Sequence, residues 1–257
     1  MQINGSFEEF SNYVKSNYDI SDKLIEIKYE HSKRVANLMI LIASKMNLSK
    51  REMLLAYFIG LFHDLGRFEQ AVREHKFDNS NFDHAAYSNK ILFKDDFISN
   101  FDIPHELYDV IKTAVYFHNK KDIPNDLEGS YELYTKLIRD ADKIDIIRVM
   151  TENFKQSFTS VPKNEIMDAY LNNQTIDSRL IENLSERVVL NLSFMKDLYF
   201  LESKQNLIDF DKYIYDNYGK LEIETSSKLD KEDEKFYIKV KKENNLHYLC
   251  TSYNIKR

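Results

Sequence analysis

The sequence predicts an all-α fold, and three observations support that prediction. Its 257 residues include only 5 Gly and 3 Pro, so residues that interrupt helices are rare. Apolar residues recur three and four positions apart through most of the chain, which is the period of an amphipathic helix. Trp is absent, so the 17 Phe and 17 Tyr have to supply the bulky side chains of the core. We therefore expect a helical bundle with a helical C-terminal extension.

Three helices are predicted in the first quarter of the chain. The first covers 7–18. A long second helix follows Ser21-Asp22, and its inward stripe consists of Leu24, Ile27, His31, Val35, Leu38 and Ile42. The third begins at Ser49, where a Glu three residues later completes a capping box, and Gly66 is predicted to end it.

The next part of the chain predicts a polar loop over 74–81 and then three more helices. These helices fit 83–93, 104–119 and 130–154, with Pro104 suited to a first helical turn. Together the six helices define a core.

The domain prediction divides the chain into a core over 1–160, an extension over 161–225 and a tail over 226–257. The extension keeps helical periodicity and is expected to pack on the core. In the tail, the segments 236–240 and 246–250 fit a small hairpin, and a continued helix is the alternative.

The composition of the chain limits where the protein is expected to be located and which kinds of partner it is expected to bind. The single cysteine, Cys250, cannot form an internal disulfide, and the N-terminal residues lack the basic start and apolar run of a signal peptide. The most apolar stretch, 54–62, is too short to cross a bilayer. With a net charge of −6 and scattered Lys and Arg, an extended nucleic-acid-binding surface is not expected. These features predict a cytoplasmic protein without a membrane segment.

Six polar residues lie on the inward side or at the end of predicted helices: His31, His63, Asp64, His84, His118 and Asp142. A buried carboxylate without a partner is costly, and a divalent metal resolves this for carboxylates and imidazoles together. Each residue alone has a plainer explanation. A single inward His is commonly a hydrogen-bonded core residue, and Asp142 could pair with Lys143 or Arg139 on a helix surface. The joint occurrence favours a metal site.

The order of these residues resembles the HD-domain superfamily, which is named for an adjacent His-Asp pair. The resemblance rests on His31, on His63-Asp64 within Leu-Phe-His-Asp-Leu-Gly-Arg, and on Asp142 within Arg-Asp-Ala-Asp-Lys-Ile-Asp. It spans about 28–148. It implies an HD-type helical bundle and metal-dependent phosphohydrolase activity.

The resemblance also implies a ligand set. His31, His63, Asp64 and Asp142 match the ligands of a first metal, while His84 and His118 match the additional ligands of two-metal members. Asp64 would then bridge the two ions. Asp140 is the second choice for the distal carboxylate. Mn²⁺, Fe²⁺, Co²⁺, Ni²⁺, Zn²⁺ and Mg²⁺ all remain open as the ion, with one or two per chain.

The implied reaction is hydrolysis of a phosphate ester by a metal-bound hydroxide, because metal coordination lowers the pKa of bound water towards about 7. The expected substrate is a nucleotide or a related small phosphorylated compound. Besides Asp64, Arg67 and Lys143 are predicted catalytic residues that hold the phosphate, although both also fit solvated surface charges. Glu69 and Asp145 are further candidates for proton transfer.

The sequence lacks motifs that are typical of three HD subfamilies, and their absence argues against those three activities without identifying the actual one. The sequence lacks the Glu-Asp pair of HD-type alarmone hydrolases and the further His residues of HD-type dNTP triphosphohydrolases. After His118 it also lacks the second His and the Gly-Tyr-Pro element of cyclic-di-GMP phosphodiesterases. Two alternatives to hydrolysis stay open, a di-iron oxygenase with the same ligands and a non-catalytic signalling module. The oligomeric state is undetermined.

Overall fold

The structure is a computed structural model, and it describes residues 5–76, 82–153, 162–172, 174–204, 220–224 and 237–241. The backbone divides into two compact units, Met1–Asp145 and Ile146–Arg257. The predicted all-α class is confirmed. The predicted boundary between core and extension, at 160, stays a prediction.

The first unit begins with three helices that match the predicted ones, α1 (Ser6–Asn17), α2 (Lys23–Lys45) and α3 (Lys50–Phe62). The side chain of Asp22 caps α2, and the predicted capping box at the start of α3 is present. Helices α2 and α3 pack closely at Gly60, where a Cβ atom would lie 2.7 Å from the Cα atom of Ala36. Only glycine allows this approach, which places the C-terminal end of α3 beside the middle of α2.

A fourth helix, α4 (Leu65–Glu74), begins almost at once after α3 and was not predicted as a helix. The prediction that Gly66 ends the third helix is wrong, because α3 ends at Phe62 and Gly66 lies in the first turn of α4. The glycine serves a close approach instead. A Cβ atom at this position would lie 2.2 Å from the carbonyl oxygen of His84.

The rest of the first unit consists of α5 (His84–Asn89), α6 (Tyr108–Phe117) and the first part of α7 (Gly129–Asn153). A π-helical turn, Lys90–Lys94, continues α5 to the end of the segment predicted as helix. Short 3₁₀ turns at Phe97–Asn100 and His105–Leu107 lead into α6. These bounds agree with the predicted helices over 83–93, 104–119 and 130–154.

Phe and Tyr supply the bulkiest side chains in the core of the first unit, as expected for a chain without Trp. Phe62 packs edge-on against Phe101 with ring centroids 4.8 Å apart, and Phe101 also contacts Phe58 and Phe97. Edge-to-face packing of this kind adds roughly 0.5–1.5 kcal/mol per pair beyond the area that it buries. This core lies behind the end of α3 and fixes the position from which His63 projects.

The second unit contains α8 (Asn164–Leu171), α9 (Leu184–Lys196) and two antiparallel strands, β1 (Lys220–Glu224) and β2 (Tyr237–Lys241). Its two helices and the segment between them share a small apolar cluster: Ile166, Ile176, Ile181, Val189 and Leu190. Helical periodicity was predicted up to 225. That is wrong for β1, where Leu221 and Ile223 alternate with charged residues in the period of a strand.

Strand β2 agrees with the first predicted strand of the tail. It pairs with β1, with Leu221 opposite Val240, so its observed partner lies upstream in the chain. The second predicted strand, 246–250, lies outside the described residues. Among the helices that the structure describes, none combines the length and the apolarity needed to cross a bilayer.

Candidate metal centre

Six elements of the first unit each contribute one polar side chain to a single cluster. His31 projects from the middle of α2, His63 is the C-terminal cap of α3, and Asp64 precedes α4. The other three are His84 at the start of α5, His118 at the C-terminal end of α6 and Asp142 in α7. The structure therefore brings together all six residues that were predicted as metal ligands.

Asp64 lies at the centre of this cluster, and its two carboxylate oxygens face different histidines. Oδ2 lies 3.5 Å from Nε2 of His31 and 3.6 Å from Nε2 of His63. Oδ1 lies 3.5 Å from Nε2 of His84 and 3.4 Å from Nε2 of His118. One carboxylate thus joins two pairs of imidazoles.

Asp142 completes the first of these groups. Its Oδ1 lies 3.1 Å from Nε2 of His31 and 3.7 Å from Nε2 of His63. Four donors around one tetrahedral ion at 2.0–2.1 Å are separated by about 3.4 Å, so the observed spacings fit a shared cation. The donor groups found among the described residues include Asp142 and do not include Asp140, which favours the first choice for the distal carboxylate.

Backbone carbonyls orient two of the imidazoles. Nδ1 of His63 lies 2.7 Å from the carbonyl oxygen of Gly60, and Nδ1 of His118 lies 2.6 Å from that of Val115. Because a carbonyl only accepts, each Nδ1 carries a proton, and Nε2 is the nitrogen that each ring directs at the cluster. Burial acts first to lower the pKa of His118, which keeps that ring neutral.

His84 is also held neutral. Burial and the nearby Arg67 lower its pKa well below the usual value of histidine. Its position depends on Ser88, whose hydroxyl donates to the carbonyl oxygens of both His63 and His84 and accepts from the amide of Gly66. The backbones that carry His63 and His84 are therefore joined through the hydroxyl of Ser88, which also binds the amide of Gly66.

Asp145 orients His31. Its Oδ2 accepts a hydrogen bond from Nδ1 of His31 at 2.7 Å, and Arg34 donates to both oxygens of the same carboxylate at 2.7 and 3.0 Å. Asp145 was a candidate for proton transfer, but its carboxylate is fully buried and held between these two groups. Sequence reasoning missed Arg34, although its spacing of three residues from His31 on the same helix was visible.

The charges of the cluster are strongly coupled. Burial acts to raise the pKa of Asp64, but Lys28 and the surrounding imidazoles hold it well below the usual value. Burial likewise acts to raise the pKa of Asp142, and the imidazoles of His31 and His63 hold it well below the usual value. Burial and Lys28 act to lower the pKa of His31, but the surrounding carboxylates outweigh them and raise it to about 10. A cation at this position has to displace the proton from His31, because only the neutral ring is a ligand.

Two cationic side chains flank Asp64. Nζ of Lys28 lies 2.8 Å from Oδ2, and Nε of Arg67 lies 3.7 Å from Oδ1. Sequence reasoning proposed Arg67 and missed Lys28, which stands one turn before His31 on α2. Lys143 is buried, with 8% of its surface exposed, so its alternative interpretation as a solvated surface charge is wrong.

The two remaining residues near the site have structural partners. Glu69 accepts from Arg73 at 2.6 Å on the surface of α4. Arg139 donates to the backbone carbonyl oxygens of Phe117 and Lys121, at 3.0 and 3.2 Å. Arg139 therefore holds the chain that follows α6, where His118 lies, instead of pairing with Asp142.

Comparison with known families identifies a family model that matches the segment containing this cluster. Residues 29–147, a little less than half of the chain, match the family model of the HD domain. This range agrees with the predicted span of 28–148. Searches of curated proteins and of solved structures found no match.

Proposed function

From the premise that residues 29–147 form an HD domain, we propose that this chain is a metal-dependent hydrolase of phosphate esters. The HD-domain superfamily consists mostly of metal-dependent hydrolases. The proposed substrate is a nucleotide or a related small phosphorylated compound. The observation that carries the proposal is the position of Asp64, with one oxygen towards each pair of imidazoles.

The donor set suits two divalent cations. His31, His63 and Asp142 would hold the first together with Oδ2 of Asp64, and His84 and His118 would hold the second together with Oδ1. Neutral imidazoles and carboxylates are ligands for Mn²⁺, Fe²⁺, Co²⁺, Ni²⁺ and Zn²⁺, and Mg²⁺ accepts the carboxylates. When bound, such cations lower the pKa of water and neutralise phosphoryl oxygens, as phosphate-ester hydrolysis requires.

The protein's own residues have complementary tasks. Arg67 is proposed to bind a phosphoryl oxygen, since 21% of its side chain is exposed beside Asp64. Lys143 is proposed to add positive charge from within α7. Asp145 keeps the ring of His31 in one orientation, so that its Nε2 remains directed towards Asp64 and Asp142.

Turnover of a substrate panel in H₂¹⁸O tests the proposal. The protein is loaded with Mn²⁺ or Co²⁺ and assayed with phosphomonoesters and phosphodiesters, with and without O₂. We expect ¹⁸O in the product, on phosphate if attack is at phosphorus, and no requirement for O₂. Turnover that stops without O₂ would support the di-iron oxygenase alternative instead.

Asp64→Asn is the matching variant, because it keeps the size of the side chain and removes its charge. We expect it to abolish turnover and to lower metal content with little change in helix content. Asp109→Asn is the control, since Asp109 is an exposed residue in the first turn of α6. Full activity of the Asp64→Asn protein would refute the proposal.

A further inference from the structure

Lys28 lies within hydrogen-bond distance of Asp64, the carboxylate at the centre of the cluster. Its ammonium lies 2.8 Å from Oδ2 of Asp64, and 12% of its side chain is exposed. Arg67 lies on the other oxygen of the same carboxylate and is also partly exposed. Asp142, a proposed ligand of the first cation, is also partly exposed, at 18%. Two cations thus stand where a ligand from solvent would enter.

The charge balance of the cluster leaves room for an anion. Lys28 and Arg67 carry two positive charges, and the carboxylates of Asp64 and Asp142 carry two negative ones. The pair of Arg34 and Asp145 balances itself. Each divalent cation held by the cluster would therefore add two positive charges that these side chains do not offset, and Lys143, in its proposed role, would add one more. A bound anion would neutralise this excess.

Lys28 suits the binding of such an anion. An ammonium on a four-carbon stem is a compact charge with three donors that can turn from one oxygen to another, whereas the fork of Arg67 binds two oxygens at a fixed angle. A phosphomonoester presents up to two negative charges and three free oxygens, while a diester has one charge and two free oxygens. Two bound metal ions together with Lys28 and Arg67 offer more positive partners than the two free oxygens of a diester can use, so they suit the three free oxygens of a monoester better.

We propose that Lys28 binds the phosphate of the substrate opposite Arg67, and that this pair makes the site selective for phosphomonoesters over phosphodiesters. The inference rests on the proposed function and deepens it by naming the substrate class. Its rival is that Lys28 only neutralises the buried Asp64, in which case its removal would either leave the affinity for phosphate unchanged or lower it only in parallel with a loss of metal.

Calorimetric titration of the Mn²⁺-loaded protein separates the two explanations without any need for turnover. The probes are inorganic phosphate, which has the charge and oxygens of a monoester group, and dimethyl phosphate as the diester. The variants are Lys28→Gln and Lys28→Arg, and metal content is measured for each. Lys23→Gln is the matched control, because Lys23 lies on the same helix with an exposed side chain paired to Glu26.

We expect Lys28→Gln to weaken phosphate binding on the order of tenfold, with unchanged metal content, because a charge-assisted hydrogen bond is lost. Lys28→Arg should retain most of the affinity, and Lys23→Gln all of it. The wild-type protein should bind phosphate more tightly than dimethyl phosphate, and Lys28→Gln should reduce that preference.

Three results would overturn the inference: equal phosphate affinity of wild type and Lys28→Gln, loss of metal from Lys28→Gln in parallel with phosphate, or equal affinity of wild type for both probes. The failure of the proposed function looks different. If phosphate binding depends on Lys28 but no ester is hydrolysed, hydrolysis is wrong and the assignment of Lys28 stands.

Discussion

His31 and Asp145 are joined by a 2.7 Å hydrogen bond between Nδ1 and Oδ2, although 114 positions separate them in the chain. The bond connects α2 with α7 and fixes the ring whose other nitrogen faces the carboxylates of Asp64 and Asp142. Arg34 donates to both oxygens of the same carboxylate. A carboxylate in this position directs a histidine ligand and raises its basicity.

Replacement of this carboxylate should weaken the first metal position. Asp145→Asn keeps the shape but removes the charge that faces His31 and Arg34. We expect the affinity for the more tightly bound cation to fall by roughly 10–100-fold, measured by competition with a chromophoric chelator. Asp109→Asn should have no effect. Unchanged affinity in Asp145→Asn would show that this carboxylate does not support the ligand.

Removal of a histidine from the second position should leave the first one partly filled. Nε2 of His118 lies 3.4 Å from Oδ1 of Asp64, whereas Nε2 of His31 lies beside Oδ2 of Asp64 and 3.1 Å from Oδ1 of Asp142. We therefore expect His118→Ala to hold about one cation per chain and His31→Ala to lose the first, by metal analysis after gel filtration. Two cations retained in His118→Ala would contradict the assignment of that residue.

A methyl group at Gly66 should disturb the second position through the backbone. The added Cβ would lie 2.2 Å from the carbonyl oxygen of His84, so α4 and α5 have to move apart. We expect Gly66→Ala to lower the free energy of unfolding by about 1–3 kcal/mol and to lose the second cation first. The control is Val72→Ala, an exposed position on the same helix. Normal metal content and stability in Gly66→Ala would show that the contact relaxes freely.

The second unit should lose stability in acid because of Glu186. Its carboxylate accepts from the backbone amides of Glu182 and Lys163, which ties the start of α9 to the start of α8. Burial acts to raise the pKa of Glu186, but these hydrogen bonds lower it below its usual value. A depressed folded-state pKa gives stability that is present above the unfolded pKa and is lost as pH falls through the folded one.

Hydrogen exchange of α8 and α9 measures this effect directly. Wild-type protection should fall as pH drops below about 5, after correction for the intrinsic exchange rate. Glu186→Gln should show weaker protection at neutral pH and little of this acid dependence. Arg179→Gln, which changes an exposed residue of the same unit, is the control. An acid response of equal size in Glu186→Gln would assign the effect to other groups.

Local signals in the sequence were sufficient for most of the helical fold. The capping side chains of Asp22 and Ser49 bind backbone amides no more than three residues away. Apolar periodicity likewise extends over only a few helical turns, so both signals can be recognised without knowledge of the tertiary structure. The adjacent His63-Asp64 pair and its spacing from the other predicted ligands likewise indicated the HD domain, whose family model matches residues 29–147, because such spacing is a property of the chain.

Long-range packing decided the rest, and no local pattern contains it. That Lys28 meets Asp64 depends on how α2 and α4 pack, and that Asp145 meets His31 depends on the packing of α7 against α2. Gly66 looked like a helix end because glycine is common there, while its actual role is set by the distance to α5. The sequence gives the identity of a charged or small residue but not its neighbours in space. Only the fold determines which groups bury a charged side chain or pair with it, and which neighbouring backbone leaves room for nothing larger than glycine.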